Sequence, residues 1–383
     1  MSEQGLSPEA ATPARGARNT GLDRARAVAV VAMVMGHTLD AVLSDAARQG
    51  AGVQAYWALR AITAPLFLFV AGWAIATTVQ RTGEQGLGLL RRYAPRAALL
   101  LCWGYVLRWP GWGVDRLLAG ERAVWEHFLG FDALHGVAGA LLMGAGVLAL
   151  LRGQVARMAA LTGLAVLFPV VTPWVRASVA AGGWPLGLEQ AMAGRGSSFP
   201  LFPWAAYFFA GAVTGLGLAT LRRVPAWLCL AGTGLTVLGL MSLWGGNPEL
   251  SDATLVAWRM GMLLVVAGAA MRLPSALDGL MGPVGRASLW AYVIHLPMTY
   301  GWSTFPGLAS RWGHSLSLGQ ALATALTVLA VTLTLSLTLK GLYGRWRSRA
   351  RKAVGGAAVL TLPRPGAAQG HESGATARLR DSA

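Results

Sequence analysis

Charge is scarce in this chain. Aspartate, glutamate, lysine and arginine together make up 13 % of its 383 residues, about half the share found in soluble domains. That shortage excludes a large water-facing surface. Cysteine is scarcer still: Cys102 and Cys229 are the only two. Both fall in apolar runs and read as small buried hydrophobes, neither a disulfide nor a metal site. The first twenty residues, MSEQGLSPEAATPARGARNT, lack the short apolar core and cleavage site of a secretion signal. The first apolar run is therefore expected to be an uncleaved anchor. No internal repeat of the transporter kind is visible. Nor is a nucleic-acid partner expected, because the basic residues are spread over short segments without a recognition motif.

What fills the chain is hydrophobic. Apolar residues make up 55 % of it, in repeated runs of about twenty, the length a helix needs to cross the hydrocarbon. The expected fold is all-α: a polytopic integral membrane protein with about ten transmembrane helices and both termini cytoplasmic. Spans are placed near 25–43, 57–79, 95–110, 131–151, 156–177, 200–221, 224–244, 254–271, 287–303 and 317–340. Residues 1–20 are expected to form a disordered cytoplasmic N-terminus and 21–344 the membrane domain. Residues 345–383 are expected to be a cytoplasmic tail, basic and lipid-bound at first and then disordered. With the N-terminus inside, the inner segments collect 23 of the 32 basic residues and seven of the 16 acidic ones. The whole formal charge of +16 then lies on the cytoplasmic face, as the positive-inside rule requires. Tryptophans at 57, 109, 112, 125, 174, 184, 302 and 312 fall at the outer ends, as an interfacial belt would.

Three ionisable residues stand out in the first span: Arg26, His37 and Asp40. Charge inside a span is costly and is usually kept for chemistry or transport. The step from Arg26 to His37 lifts the imidazole about 16 Å from the inner boundary, near the midplane. Asp40 follows three residues later on the same face, where it can accept from one imidazole nitrogen and leave the other free as a base. His37 could equally hydrogen-bond a neighbouring helix while Asp40 reaches the headgroups. In GRASLWAYVIHLPMTYGW, His295 lies about 13 Å in from Arg286, so two histidines from different spans reach similar depth. Pro297 is expected to loosen the helix just beyond it. Asp132 and His135 repeat the three-residue spacing at an outer end, where catalytic and structural roles are equally open. On the inner side, Arg91, Arg92 and Arg96 in LLRRYAPRAALL suit a phosphate-rich ligand, since guanidinium binds phosphate bidentately. Positive-inside topology accounts for such a cluster as well.

These pieces resemble the transmembrane acyltransferases: the acyltransferase family 3 O-acetyltransferases and the related heparan-alpha-glucosaminide N-acetyltransferase-like proteins. The resemblance is carried by LDRARAVAVVAMVMGH with its Arg-x10-His spacing, APLFLFVAGWAIA, LLRRYAPR, DALHGVAGALL, FPLFPWAAYFFAGAVTG and GRASLWAYVIH. His37 is closer to the O-acetyltransferase branch and LFPWAAYFFAG to the heparan-type branch, whose second histidine has no counterpart in Ser44 to Gln54. The resemblance implies an enzyme that passes an acyl group, usually acetyl from cytosolic acetyl-CoA, to a hydroxyl or amine of an outer-face acceptor. A glycan or other cell-envelope molecule is the expected acceptor. His37, Asp40 and His295 are the expected catalytic residues, and Arg26, Arg91, Arg92 and Arg96 the expected donor site. Asp132 and His135 are the expected acceptor contacts, and no metal is expected. The expected location is a bacterial cytoplasmic membrane, with the lipid bilayer as surroundings and homo-oligomerisation open. The rival reading is a multi-pass transporter or flippase of a small envelope metabolite.

Overall fold

Capping residues mark several helix starts. Asn19 accepts from Leu22 N at 3.2 Å and opens α1 (Thr20–Val42), and Ser44 caps the short α2 (Asp45–Arg48). Beyond α3 (Ala51–Arg60) comes α4 (Thr63–Thr82), stopped by Gly83 at φ 65°. This left-handed position is one that glycine takes without strain. In this computed structural model, residues 19–60, 62–217, 224–244 and 252–359 are described. The first half continues with α5 (Leu87–Leu107), α6 (Val114–Leu118), α7 (Arg122–Leu129), α8 (Ala133–Leu150) and α9 (Gln154–Ala181). Then follow α10 (Leu186–Met192), α11 (Leu201–Gly217), α12 (Val224–Trp244) and α13 (Asp252–Met271). The series closes with α14 (Asp278–Arg286), α15 (Ser288–Tyr300), α16 (Leu308–Trp312) and α17 (Leu318–Val359). A two-residue hairpin, β1 (Gly301–Trp302) and β2 (Phe305–Pro306), pairs antiparallel after α15.

The protein is an all-α membrane protein. Among the described residues, seven helices are long and apolar enough to cross a membrane: α1, α4, α8, α9, α12, α13 and α17. Each of the ten expected spans holds a helix, and the three outside that group depart from it for visible reasons. α11 is apolar but has 17 residues. α5 begins at Leu87 and runs through Pro95, so Arg91, Arg92 and Arg96 ride on its first turns rather than preceding it. α15 has only 13 residues and ends at Gly301, φ 93°. It passes through Pro297 without stopping there.

The chain divides into two units, 1–337 and 338–383. The basic stretch that begins at Arg345 is helical to Val359. Residues 1–18 and 360–383, expected to be disordered, lie outside the described residues. Both cysteines are free thiols, but Cys102 is exposed rather than buried, as a side chain of a lipid-facing helix surface would be.

Close helix packing is set by small residues. A Cβ on Gly72 of α4 would stand 1.9 Å from the Phe208 carbonyl oxygen of α11, and one on Gly211 would stand 1.9 Å from that of Phe69. The two backbones therefore touch, and dispersion along their length replaces the hydrophobic drive that lipid cannot supply. Phe69, Tyr207, Phe208 and Phe209 fill the main core around this seam. Gly232 and Gly261 do the same for α12 against α13, and Gly285 of α14 lies against the Asp23 carbonyl of α1.

Candidate active site

The two ends of α1 are held differently. At its start Arg24 is buried and spent on structure. It donates from Nε to Asp278 Oδ1 at 2.5 Å, from Nη2 to Asp278 Oδ2 at 2.9 Å, and from Nη1 to the Met271 and Leu273 carbonyls. This fork caps the end of α13 and ties α14 to α1. Bonding to Arg24 holds the Asp278 carboxyl below its usual range. Two residues on, Arg26 reaches buried Asp23 at 3.2 Å and remains half-buried. At the other end, Arg48 of α2 donates to the Asp40 carbonyl, to Asp40 Oδ1 at 3.3 Å and to the Leu43 carbonyl at 3.0 Å. The Arg48 fork pins Asp40 to the turn that follows α1.

Between these ends His37 meets α15. Its ring centroid lies 5.3 Å from that of His295, edge to face, and 5.7 Å from Tyr300. The Tyr300 hydroxyl is 3.2 Å from His37 Nδ1 and 3.4 Å from Asp40 Oδ2. One hydroxyl thus lies between the imidazole and the carboxylate. If His37 Nδ1–H donates to Tyr300 and Tyr300 donates to Asp40, Nε2 is the unprotonated nitrogen. His295 is fully buried, and its Nδ1 lies 2.7 Å from the Ala291 carbonyl. That bond makes Nδ1 the donor and leaves Nε2 an acceptor, without a hydrogen-bond partner among the described residues.

Three cavities converge on His37. A slot of about 180 Å³ runs from Arg26 past Met33, Phe67 and Leu289 to His37. A polar cavity of about 1060 Å³ opens at the Asp40 end, lined by His37, Asp40, Arg108, His127, Asp132 and Tyr300. A third, of about 390 Å³, holds His37, Asp40, Arg48, Trp57, Trp204 and Arg259. His37 and Phe199 line all three. Within the large cavity Arg108 is spent on the His127 and Gly196 carbonyls, at 2.6 and 2.9 Å. Burial and the Arg108 charge lower the His127 pKa, so this ring is held neutral.

The other expected residues are placed less centrally. Asp132 and His135 form a capping box at the start of α8: Asp132 Oδ1 accepts from Leu134 N at 3.0 Å and His135 N at 3.3 Å, and Asp132 N donates to His135 Nδ1 at 3.3 Å. Asp132 still lines the large cavity. His135 is fully buried, stacked on Phe131 and edge-on to Tyr105, over a Gly104 that leaves it room. It supports the helix start, and its Nδ1 also lies 2.8 Å from Asp132 Oδ1. Arg91, Arg92 and Arg96 are exposed outside the slot; Arg92 pairs with Glu84 at 2.7 Å and Arg96 lies over the Tyr93 ring at 5.2 Å. Sequence reasoning missed Tyr300 and Arg259. The first passes for an interfacial aromatic, and the second counts only as one more outer positive charge.

A family model described as heparan-alpha-glucosaminide N-acetyltransferase, catalytic, matches residues 18–244. The match takes in Arg26, His37, Asp40 and the α5 arginines and stops before α13, so Arg259, His295 and Tyr300 lie outside it. No curated protein matches the chain.

Proposed function

Because the chain belongs to the heparan-alpha-glucosaminide N-acetyltransferase catalytic family and is a membrane acetyltransferase, we propose that it moves acetyl from cytosolic acetyl-CoA to an acceptor on the far side. One observation carries this reading: His37 lines both the slot that reaches Arg26 and the cavities that open at the Asp40 end. A group at that junction can meet a donor from one face and an acceptor from the other. The basic residues favour the Arg26 end as cytosolic, with a bacterial cytoplasmic membrane as the setting.

The slot is narrow and largely apolar, which suits a pantetheine arm. The exposed guanidinium groups of Arg91 and Arg96, with Arg26 at the slot, are suited to the donor's phosphates. At the junction, His37 Nε2 takes the proton of the acceptor hydroxyl or amine as that atom attacks the thioester carbonyl. The carbon–sulfur bond breaks, the new ester or amide forms, and His37 returns the proton to the departing thiolate. Tyr300 and Asp40 hold the imidazole in the tautomer this needs and stabilise it when charged. His295, edge-on to His37, packs the ring from the other side. A glycan is the favoured acceptor, since Trp57, Trp204 and Phe199 offer flat faces in the third cavity.

The test is turnover of labelled acetyl-CoA by the purified chain. We expect His37→Ala to lower acetyl transfer by roughly 10²–10⁴-fold, the usual worth of a general base, while the protein still inserts and melts as the parent does. Normal turnover in that variant would sink the assignment. Uptake of a solute without release of CoA would point instead to a transporter.

A further inference from the structure

A large apolar groove lies on the side of α1 turned away from the slot. Ala27, Val31, Met35 and Leu39 line the groove, whereas Arg26, Met33 and His37 line the slot. At 3.6 residues per turn the two sets fall on opposite faces, so α1 stands as a partition between them. Leu280 of α14 and Leu322 of α17 form the other walls, and no residue lining the groove carries a charge. Val31, Leu280 and Leu322 are exposed, so the groove opens sideways to the bilayer. From Ala27 to Leu43 it follows α1 for about 24 Å, most of the ~30 Å of hydrocarbon. Its far end meets the reaction site. Trp57 lines both the groove and the cavity that holds His37 and Asp40. Arg48, which pins Asp40, lies 5.7 Å over the Trp57 ring, and Tyr56 packs beside that ring at 5.1 Å. An aromatic pair of this kind belongs at the membrane interface.

We propose that the acceptor is a lipid-anchored molecule: its long apolar tail lies in this groove, and its headgroup turns past Trp57 round the end of α1 to reach His37. The inference rests on the acetyltransferase reading and adds the acceptor's anchorage to it. The dimensions favour a lipid tail over a helix of a second copy. A volume of about 1030 Å³ over that length gives a mean section of about 43 Å², roughly half of the ~80–110 Å² that a helix 10–12 Å across fills. A tail in the groove never leaves the hydrocarbon, so its binding draws on alignment rather than on a hydrophobic drive. The gain is orientation of the headgroup at the base. There a hydroxyl or amine of the headgroup gains the acetyl group as the carbon–sulfur bond breaks, CoA leaves as the thiol, and the proton passes through His37.

The test follows where the acetyl group goes. Membranes from cells making the full chain would be incubated with radiolabelled acetyl-CoA and extracted with chloroform and methanol, with membranes lacking the chain as the blank. We expect label above the blank in the organic phase. Val31→Trp and Leu322→Trp, each placing an indole in the groove from a different helix, should lower that label at least about tenfold, the scale of loss when a reactant is held out of place. Val31→Ala should keep the parental level. The acetyl-CoA KM should be unchanged in all three, because neither residue lines the slot. Thermal melting checks that the variants fold. Label found only in water-soluble product overturns the proposal and leaves the acetyltransferase reading in place; the groove then holds ordinary bilayer lipid or a second copy. Organic label that survives both Trp variants overturns it as well. No label above the blank in either phase removes the acetyltransferase reading, and the proposal with it.

Discussion

Replacing Tyr300 with Phe isolates the hydroxyl that joins His37 to Asp40. The ring stays, so its edge-to-face packing on His37, at 5.7 Å, is kept. What goes is a pair of long hydrogen bonds, 3.2 Å to Nδ1 and 3.4 Å to Oδ2. Each bond of this length and charge is worth about 0.5–1.5 kcal/mol, so the two together account for roughly 1–3 kcal/mol. Lost from the transition state, that corresponds to about a 5- to 150-fold drop in kcat. The donor KM should stay within about twofold, because the slot lined by Arg26 and Phe67 is untouched. Steady-state kinetics on the parent, Tyr300→Phe, Asp40→Asn and the double variant would check the bridge. If Asp40 acts through Tyr300, the double variant is no slower than the worse single one. Fully additive losses, or a Tyr300→Phe enzyme at parental speed, would refute the reasoning.

Other expectations follow from the packing and the charges. Gly211→Ala puts a methyl 1.9 Å from the Phe69 carbonyl oxygen, and overpacking of this kind costs about 1–3 kcal/mol or more; differential scanning fluorimetry in detergent should show a lower Tm. The Asp278 carboxyl is held below its ordinary range by Arg24, so its contribution to stability is complete above the ordinary carboxylate pKa. That contribution is lost as pH falls through the lowered value; Asp278→Asn should melt lower than the parent at pH 7 and converge with it in acid. Arg91→Ala with Arg96→Ala should raise the acetyl-CoA KM several-fold at low salt with little change in kcat, an effect that shrinks as salt screens exposed charge. Unchanged KM at all ionic strengths would remove these arginines from the donor site.

The spans that composition revealed are those whose apolar windows carry few charges, such as α8 and α9. α5 was placed eight residues late because Pro95 and three arginines look like a loop in sequence, whereas the helix absorbs both. α15 was drawn too long because Gly301 stops it, and an apolar residue count does not register a stop made by one left-handed glycine. Depth was legible: counting turns from Arg26 and Arg286 brought His37 and His295 to one level, and the structure sets their rings 5.3 Å apart. The contribution of α15 was not: Tyr300, 263 positions away from His37, sets its hydroxyl between the imidazole and the Asp40 carboxylate. Likewise the three-residue spacing of Asp132 and His135 fits both a catalytic pair and a capping box; the structure shows the capping box, with His135 buried and stacked on Phe131.

The seam between α4 and α11 bears on how the reactants travel. Thr63, Ala64, Phe67 and Ala71, all on α4, form one wall of the narrow slot. Gly72 and Gly211 bring that helix into backbone contact with its neighbour, where sliding by even part of a residue would drive side chains into carbonyl oxygens. A wall packed in this way resists swinging between the two sides of the bilayer. In the proposed reaction, passage across the membrane then falls to the chemistry: the acetyl group changes hands at a fixed point, without the protein having to rock.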